Sequence, residues 1–305
     1  MAHNYAEVVR LLKPLAAIKL VDPKADARPS QAKVEIEGQT RATDSAAADS
    51  LRRLLPAALY RLGRTYAELK DWAAAVVTLD RLLADFPDNP YRREARYLRA
   101  ESALRNGDVS VAEKDFAALL AEPPAAADPK GMIPAVRLKQ IQCWIALKRW
   151  KDALEGAQAE KGGRAPGDPT LAELDFLTGQ ALLGLGQVEK ARAAFQAVIE
   201  VRKAGELAAQ AQLMRGETYF HQDQFHEALR DFLKVDILYD SPRWQAAALL
   251  EAGKVYERLD QWADAAETYE RLLSKFAADP SANEARRRLD AANRRSASKA
   301  SKTKG

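Results

Sequence analysis

His221 and His226 stand five residues apart with Asp223 between them, the one place where two imidazoles and a carboxylate lie close along the chain. Helical ligands of a single metal are usually three or four residues apart, where they share a face. This spacing instead brackets a turn, and no neighbouring His or Cys completes a zinc set. Cys143 is the only cysteine. It sits in the apolar run Ile141-Gln142-Cys143-Trp144-Ile145 with no histidine at hand, so it reads as a buried small hydrophobe that forms no internal disulfide. Gly184-Leu185-Gly186-Gln187 has the look of a phosphate loop, but it joins two helical segments, whereas a dinucleotide fingerprint follows a strand. The abundant Asp and Glu fit solvated helix faces. No nucleophile–base pair can be assembled, so the sequence points away from an enzyme and implies no metal, cofactor or small-molecule substrate.

Charge is the second candidate chemistry. The chain carries a formal net charge of +4. From Ser281 to Gly305 there are eight basic residues against Glu284 and Asp290, so this end carries +6 and the remainder −2. Clustered Lys and Arg can displace counterions from phosphates, so contact with nucleic acid or an anionic membrane through this basic tail is the alternative functional reading. No aromatic follows Phe276 to give stacked bases a platform. A solvated tail is the simpler reading.

The elements that would position any site are written as a repeat. Residues 69–86, LKDWAAAVVTLDRLLADF, return in close paraphrase at 259–276, LDQWADAAETYERLLSKF. Aligned on Gly63, Ala100, Ile141, Gly179, Gly216 and Gly253, the steps are 37, 41, 38, 37 and 37 residues. Nine places after each anchor comes Trp72, Val109, Trp150, Val188, Phe225 or Trp262, and three further on is always alanine. Four beyond that stand Leu79, Phe116, Ala157, Phe195, Phe232 and Tyr269. Leu59, Leu62, Tyr66 and Leu69 follow three- and four-residue steps, and Trp72 restarts that rhythm with Val76, Leu79 and Leu83. Each unit is therefore expected to be two helices joined by a tight turn, as at Asn106-Gly107-Asp108, Gly186-Gln187 and Asp260-Gln261. A lone hairpin cannot bury its apolar face, so the units must stack. The small anchor admits the facing helix, and the aromatic beside the turn fills the space where the helices diverge. On that basis Trp262→Ala should cost about 3–5 kcal/mol.

These residues resemble the tetratricopeptide repeat (TPR) family. Leu62-Gly63, Tyr66, Ala75, Leu79 and Pro87 sit at its motif spacing, as do Gly216, Tyr219, Ala228 and Phe232, and Gly253, Tyr256, Ala265 and Tyr269. Most units here are longer than the family's usual 34 residues, as in the extended repeats of bacterial cell-envelope proteins. The third unit departs most, with Ile141 at the anchor and Ala157 at the large position. The resemblance implies an all-α solenoid of about six hairpins in a right-handed superhelix. It implies a protein-interaction scaffold that holds a partner's peptide or helix in a concave groove lined by the first helices. By the alignment, the groove residues are Tyr60, Arg64, Tyr97, Glu101, Phe176, Gln180, Leu213, Glu217, Phe220, Leu250 and Lys254. No Asn stands among them, and Arg64 and Lys254 are far apart, so the family's clamp for a free carboxylate is not assigned.

The expected organisation is an N-terminal helix over residues 1–21, resembling half a repeat, an irregular insert over 22–50, the solenoid over 51–290 and a flexible basic tail over 291–305. Within the insert, Ala32-Lys33-Val34-Glu35-Ile36-Glu37-Gly38 could form a short strand. The opening residues lack the order of a secretory signal, and no apolar run approaches the ~20 residues that span a bilayer. The default location is cytoplasmic; a start that falls mid-repeat keeps the periplasm as an alternative.

Overall fold

The structure, a computed structural model, describes residues 5–21, 32–36, 39–43, 45–122 and 132–302. The rest of the insert, most of the loop after Glu122 and the last three residues lie outside these. Contacts divide the chain into two compact units, Met1–Leu147 and Lys148–Gly305.

The first unit opens with α1 (Tyr5–Ala16), three short strands β1 (Lys19–Val21), β2 (Ala32–Ile36) and β3 (Gln39–Thr43), then α2 (Ser45–Glu68) and α3 (Trp72–Asp85). It continues with α4 (Arg92–Asn106), α5 (Val109–Ala121) and α6 (Met132–Ala146). Successive helices pack on one another, and α1 lies on α2. Val9, Leu12 and Ala16 of α1 join Leu59, Leu62, Leu79 and Leu82 in one apolar cluster. Arg81 ends α1 by donating to the carbonyls of Ala16 and Ile18.

The expectation of an irregular insert is corrected. The strands form an antiparallel sheet in the order β1-β2-β3, with Leu20 opposite Val34 and Val34 opposite Arg41. Val34 is buried, and β2 packs against α2. Only β2 shows an apolar–polar alternation that marks a strand; Gln39–Thr43 is polar and is recruited by its neighbour.

The second unit comprises α7 (Trp150–Gly162), α8 (Leu171–Gly184), α9 (Val188–Val201), α10 (Glu206–Phe220), α11 (Phe225–Leu238), α12 (Pro242–Arg258), α13 (Trp262–Lys275) and α14 (Ala282–Lys302). The expected basic tail is corrected as well: residues 291–302 are helix. Ala282, Ala285 and Ala292 of α14 are buried with Leu250 and Leu272. Arg288 is held by Glu284 and Glu257, both at 2.8 Å, and Lys299 donates to the Asp260 carbonyl.

The repeat has a simple physical basis in both units. The residue seven places after each anchor, Lys70, Gly107, Lys148, Gly186, Asp223 and Asp260, has a positive φ, between 55° and 92°. The next amide then reaches back to the carbonyl at the end of the first helix, as in Asp108 to Ala103 at 2.8 Å and Gln261 to Tyr256 at 2.9 Å. This is the left-handed helix cap that a two-residue turn requires. The anchors make room for the facing side chain. A Cβ added at Gly179 would lie 2.6 Å from the Phe195 ring, and one at Gly253 would lie 2.2 Å from the Tyr269 ring. Phe116, Phe195, Phe232 and Tyr269 are the largest fully buried side chains. The aromatic beside the turn is only half-buried in Trp72, Trp150, Phe225 and Trp262, so the weight assigned to Trp262 belongs to Tyr269.

Candidate binding groove

In the first unit, four of the expected groove residues come together. On α2, Tyr60, Arg64 and Glu68 fall one helical turn apart; on α4, Glu94, Tyr97 and Glu101 do the same. With Ala67, Leu98, Trp72 at the start of α3 and Met132 at the start of α6, they line an open cavity of about 370 Å³. Tyr60 stacks on Tyr91 with ring centroids 4.8 Å apart and planes 6° from parallel. Tyr97 meets Phe116 edge-on at 6.2 Å. Burial first, and then the negative charge of nearby Glu101, push the Tyr97 phenol up to about 12. It therefore stays a protonated donor at ordinary pH. Arg64 is exposed and lies 3.5 Å from Glu68, which also accepts from Tyr5 at 3.1 Å.

The same repeat positions behave differently in the second unit. Phe176, Leu213 and Leu250, three places before their anchors, are 5%, 4% and 7% exposed. The expectation that they line a groove is corrected. Phe176 packs on Phe195 at 5.7 Å, Leu213 lies among Phe232 and Val235, and Leu250 lies among Ala265 and Tyr269. Phe176, Leu213 and Leu250 are drawn between stacked hairpins, whereas Tyr60 and Tyr97 stay half-buried. Gln180 is half-buried. Phe220 is also half-buried, edge-on to Phe225 at 5.6 Å with the Arg258 guanidinium 5.7 Å away.

Charged residues of this unit satisfy each other. Lys254 is 2.7 Å from Glu251 and 3.7 Å from Glu284. Glu257 takes bonds from Tyr269 at 2.7 Å and Arg288 at 2.8 Å. Glu217 is pushed up to about 7, first by burial and then by the like charge of Glu251, with Lys254 opposing. Sequence reasoning overlooked two buried pairs. Arg99 grips Asp115 through Nε at 2.8 Å and Nη2 at 2.6 Å; Arg215 grips Asp231 at 2.6 and 2.7 Å. The signal was present: both pairs are 16 residues apart and occupy identical repeat positions. Glu68, Trp72, Glu94 and Met132 were also missed, although Glu94 shares the helical stripe of Tyr97 and Glu101.

The remaining candidates stay apart from any site. His221 and His226 are exposed on either side of a turn. Cys143 is fully buried, and desolvation pushes its thiol up to about 11. Among the described residues, no group of three or more His, Cys, Asp or Glu could hold a metal ion, and no helix is long and apolar enough to cross a membrane.

Models of the tetratricopeptide repeat match residues 57–89, 176–242 and 247–278. No curated protein matches the chain. Among solved structures, a tetratricopeptide repeat protein from Parabacteroides merdae is 14% identical, covering 94% of this chain and 98% of its own, with a TM-score of 0.57. PilW, described as a widely conserved type IV pilus biogenesis factor, is 17% identical over 75% of this chain and 97% of its own, with a TM-score of 0.56. PilF of Pseudomonas aeruginosa is 14% identical over 76% and 97%, with a TM-score of 0.50. At these identities the likeness is one of fold.

Proposed function

We propose that this chain, which belongs to the tetratricopeptide repeat family, holds a peptide or helix of a partner protein against the cavity of its first unit. The coarser statement, a protein-interaction scaffold, follows from the family. The finer one rests on a single observation: the open cavity lined by Tyr60, Trp72, Tyr97 and Met132. Rigid aromatics that keep part of their surface open make good anchors, because they offer large contact area for little lost side-chain entropy. The reading assigns no catalytic step.

Affinity capture from the source cells, followed by mass spectrometry, tests it. Capture by the intact chain should be lost in Tyr97→Ala at unchanged helicity. Recovery of the same partners by the folded variant would remove the cavity from the proposal. Placement in a bacterial cell-envelope assembly is the finest form of the reading and rests on the 37-residue repeat length. Fractionating cells that carry the tagged natural gene tests that form, and recovery from the cytoplasm alone would overturn it. The basic C-terminal helix gives a weaker case, because Arg288 and Lys299 are engaged within the second unit.

A further inference from the structure

We infer that the second unit carries a docking site of its own for an acidic segment of a partner protein, between Trp262 and α14, with one carboxylate held by Arg287 and another by Arg295. The site goes beyond the proposed function and does not rest on the first-unit cavity.

The repeat places it. One more step of 37 residues from Gly253 reaches Asp290 in α14. Arg287 then stands at the place of Tyr97, Ala291 at that of Glu101, and Trp262 at that of Trp72. These three line an open cavity of about 360 Å³. It is the counterpart of the first-unit cavity with its chemistry changed, arginine for tyrosine and alanine for glutamate.

The charges of the lining divide into a spent set and a free pair. Its two carboxylates, Glu257 and Glu284, both accept from Arg288 at 2.8 Å. Tyr269 also donates to Glu257 at 2.7 Å, and Lys254 lies 3.7 Å from Glu284. Arg287 and Arg295 remain. Arg287 is exposed and, among the described residues, makes no hydrogen bond or ion pair. Arg295 is exposed as well, and its guanidinium lies 5.7 Å from the centre of the Trp262 ring. A ring face attracts a cation without neutralising it, and a stacked guanidinium keeps its N–H edges for another acceptor.

Arginine forks match carboxylates and phosphates alike, but three features favour a carboxylate on a peptide. Glu257 and Glu284 border the cleft, so a continuous phosphate chain would pass two fixed like charges, whereas a peptide can hold single carboxylates clear of them. Arg295 already lies over the Trp262 ring, which takes that face from a stacked base. The spacing also fits. Arg287 and Arg295 are eight residues apart, about 12 Å of helix rise. An extended chain puts residues four apart on one side at about 13 Å. Ala291, between the two arginines, leaves room for that chain.

The test uses the full chain labelled with ¹⁵N and the peptide acetyl-Leu-Glu-Ala-Ala-Ala-Glu-Leu-amide. A control peptide carries glutamine in place of both glutamates. The Trp262 indole N–H signal, identified with Trp262→Phe, is followed during titration. The glutamate peptide should shift it saturably, and the glutamine peptide should bind about fivefold to tenfold more weakly. Arg287→Gln and Arg295→Gln, both at exposed positions, should each lower affinity for the glutamate peptide about threefold to fivefold at unchanged helicity, and leave glutamine binding unchanged. Equal binding of the two peptides, no saturable shift with glutamate, or indifference to both substitutions would each overturn the inference. A response of the same signal to a short oligothymidylate or to phosphatidylglycerol vesicles, at lower concentration than to the glutamate peptide, would assign the cleft to phosphates and overturn the choice of occupant. Tyr97→Ala should leave the titration unchanged, so that failure of the first-unit proposal and failure of this one are read separately. Loss of the shift in folded Tyr97→Ala would overturn the independence of the second site.

Discussion

The two units use one repeat and reach opposite surfaces. In the first, the position three places before the anchor is Tyr60, Tyr97 or Leu138; the two tyrosines remain partly open on a cavity, and Leu138 is buried. In the second it is Phe176, Leu213 or Leu250, and all are buried. One place after the anchor, Glu101 borders that cavity, whereas Glu217 and Lys254 belong to a network of internal charges. The lesson is that a repeat fixes where a side chain sits on its helix. Whether it meets solvent depends on its length, its polarity and what the next hairpin lays over it.

Changes at the shared positions should separate the units. The largest effect is expected for Tyr269→Ala, which empties a fully buried site and strips Glu257 of a donor: about 3–5 kcal/mol in urea unfolding. Trp262→Ala should cost less, about 1–3 kcal/mol, because that indole is half-buried. A larger loss for Trp262 would restore the turn aromatic as the main prop. Next comes Gly253→Ala, where the added methyl meets the Tyr269 ring, tethered by Glu257. We expect a cost of about 2–3 kcal/mol. Gly63→Ala meets Leu79, an aliphatic chain that can shift, and should cost about half as much. Equal losses by calorimetry would mean that both hairpins are equally rigid.

A pH effect should belong to the second unit. Folded Glu217 keeps its proton up to about 7, whereas the unfolded chain releases it near 4.5. The folded state binds more protons between those values, so stability falls as pH rises through that window. Glu217→Gln, neutral throughout, should lose about 1–2 kcal/mol less than the parent between about pH 5 and pH 8. Parallel stability profiles would place Glu217 in contact with water. Lys70→Gly should stabilise the first unit by about 0.5–1 kcal/mol, because Lys70 holds the left-handed turn geometry that Gly107 adopts freely in the next hairpin. The smallest effect is Arg64→Ala, an exposed pair worth at most about 0.5 kcal/mol in thermal unfolding.

Much of the fold was legible because close approach needs fixed spacing. The gap between Gly179 and Phe195 cannot drift without separating two helices, so it recurs between Gly216 and Phe232 and between Gly253 and Tyr269. The turns at Gly107, Gly186 and Asp260 were legible from their residue types, whereas the left-handed turns at Lys70 and Lys148 carry no glycine to mark them. Of the cavity lining, Tyr60, Arg64, Tyr97 and Glu101 share the register that the alignment picked out, whereas Phe176, Leu213 and Leu250 were assigned to a surface that they do not reach. The strands at 19–21 and 39–43 were not legible, since pairing with Val34 and its neighbours is a non-local event that leaves little trace in polar residues.

By itself the sequence determined the helical hairpin, its period, its turns and the pairing of small with large side chains across it. Those are contacts within about forty residues, and a repeated chain must write them again each time. Tertiary structure alone decided which of the equivalent side chains kept an open face. Burial depends on the hairpin stacked next, and charge on partners such as Glu251, Glu284 and Arg288 that arrive from other helices. The aromatic cavity exists because Tyr60 and Tyr97 stand where leucine or phenylalanine stands before the other anchors.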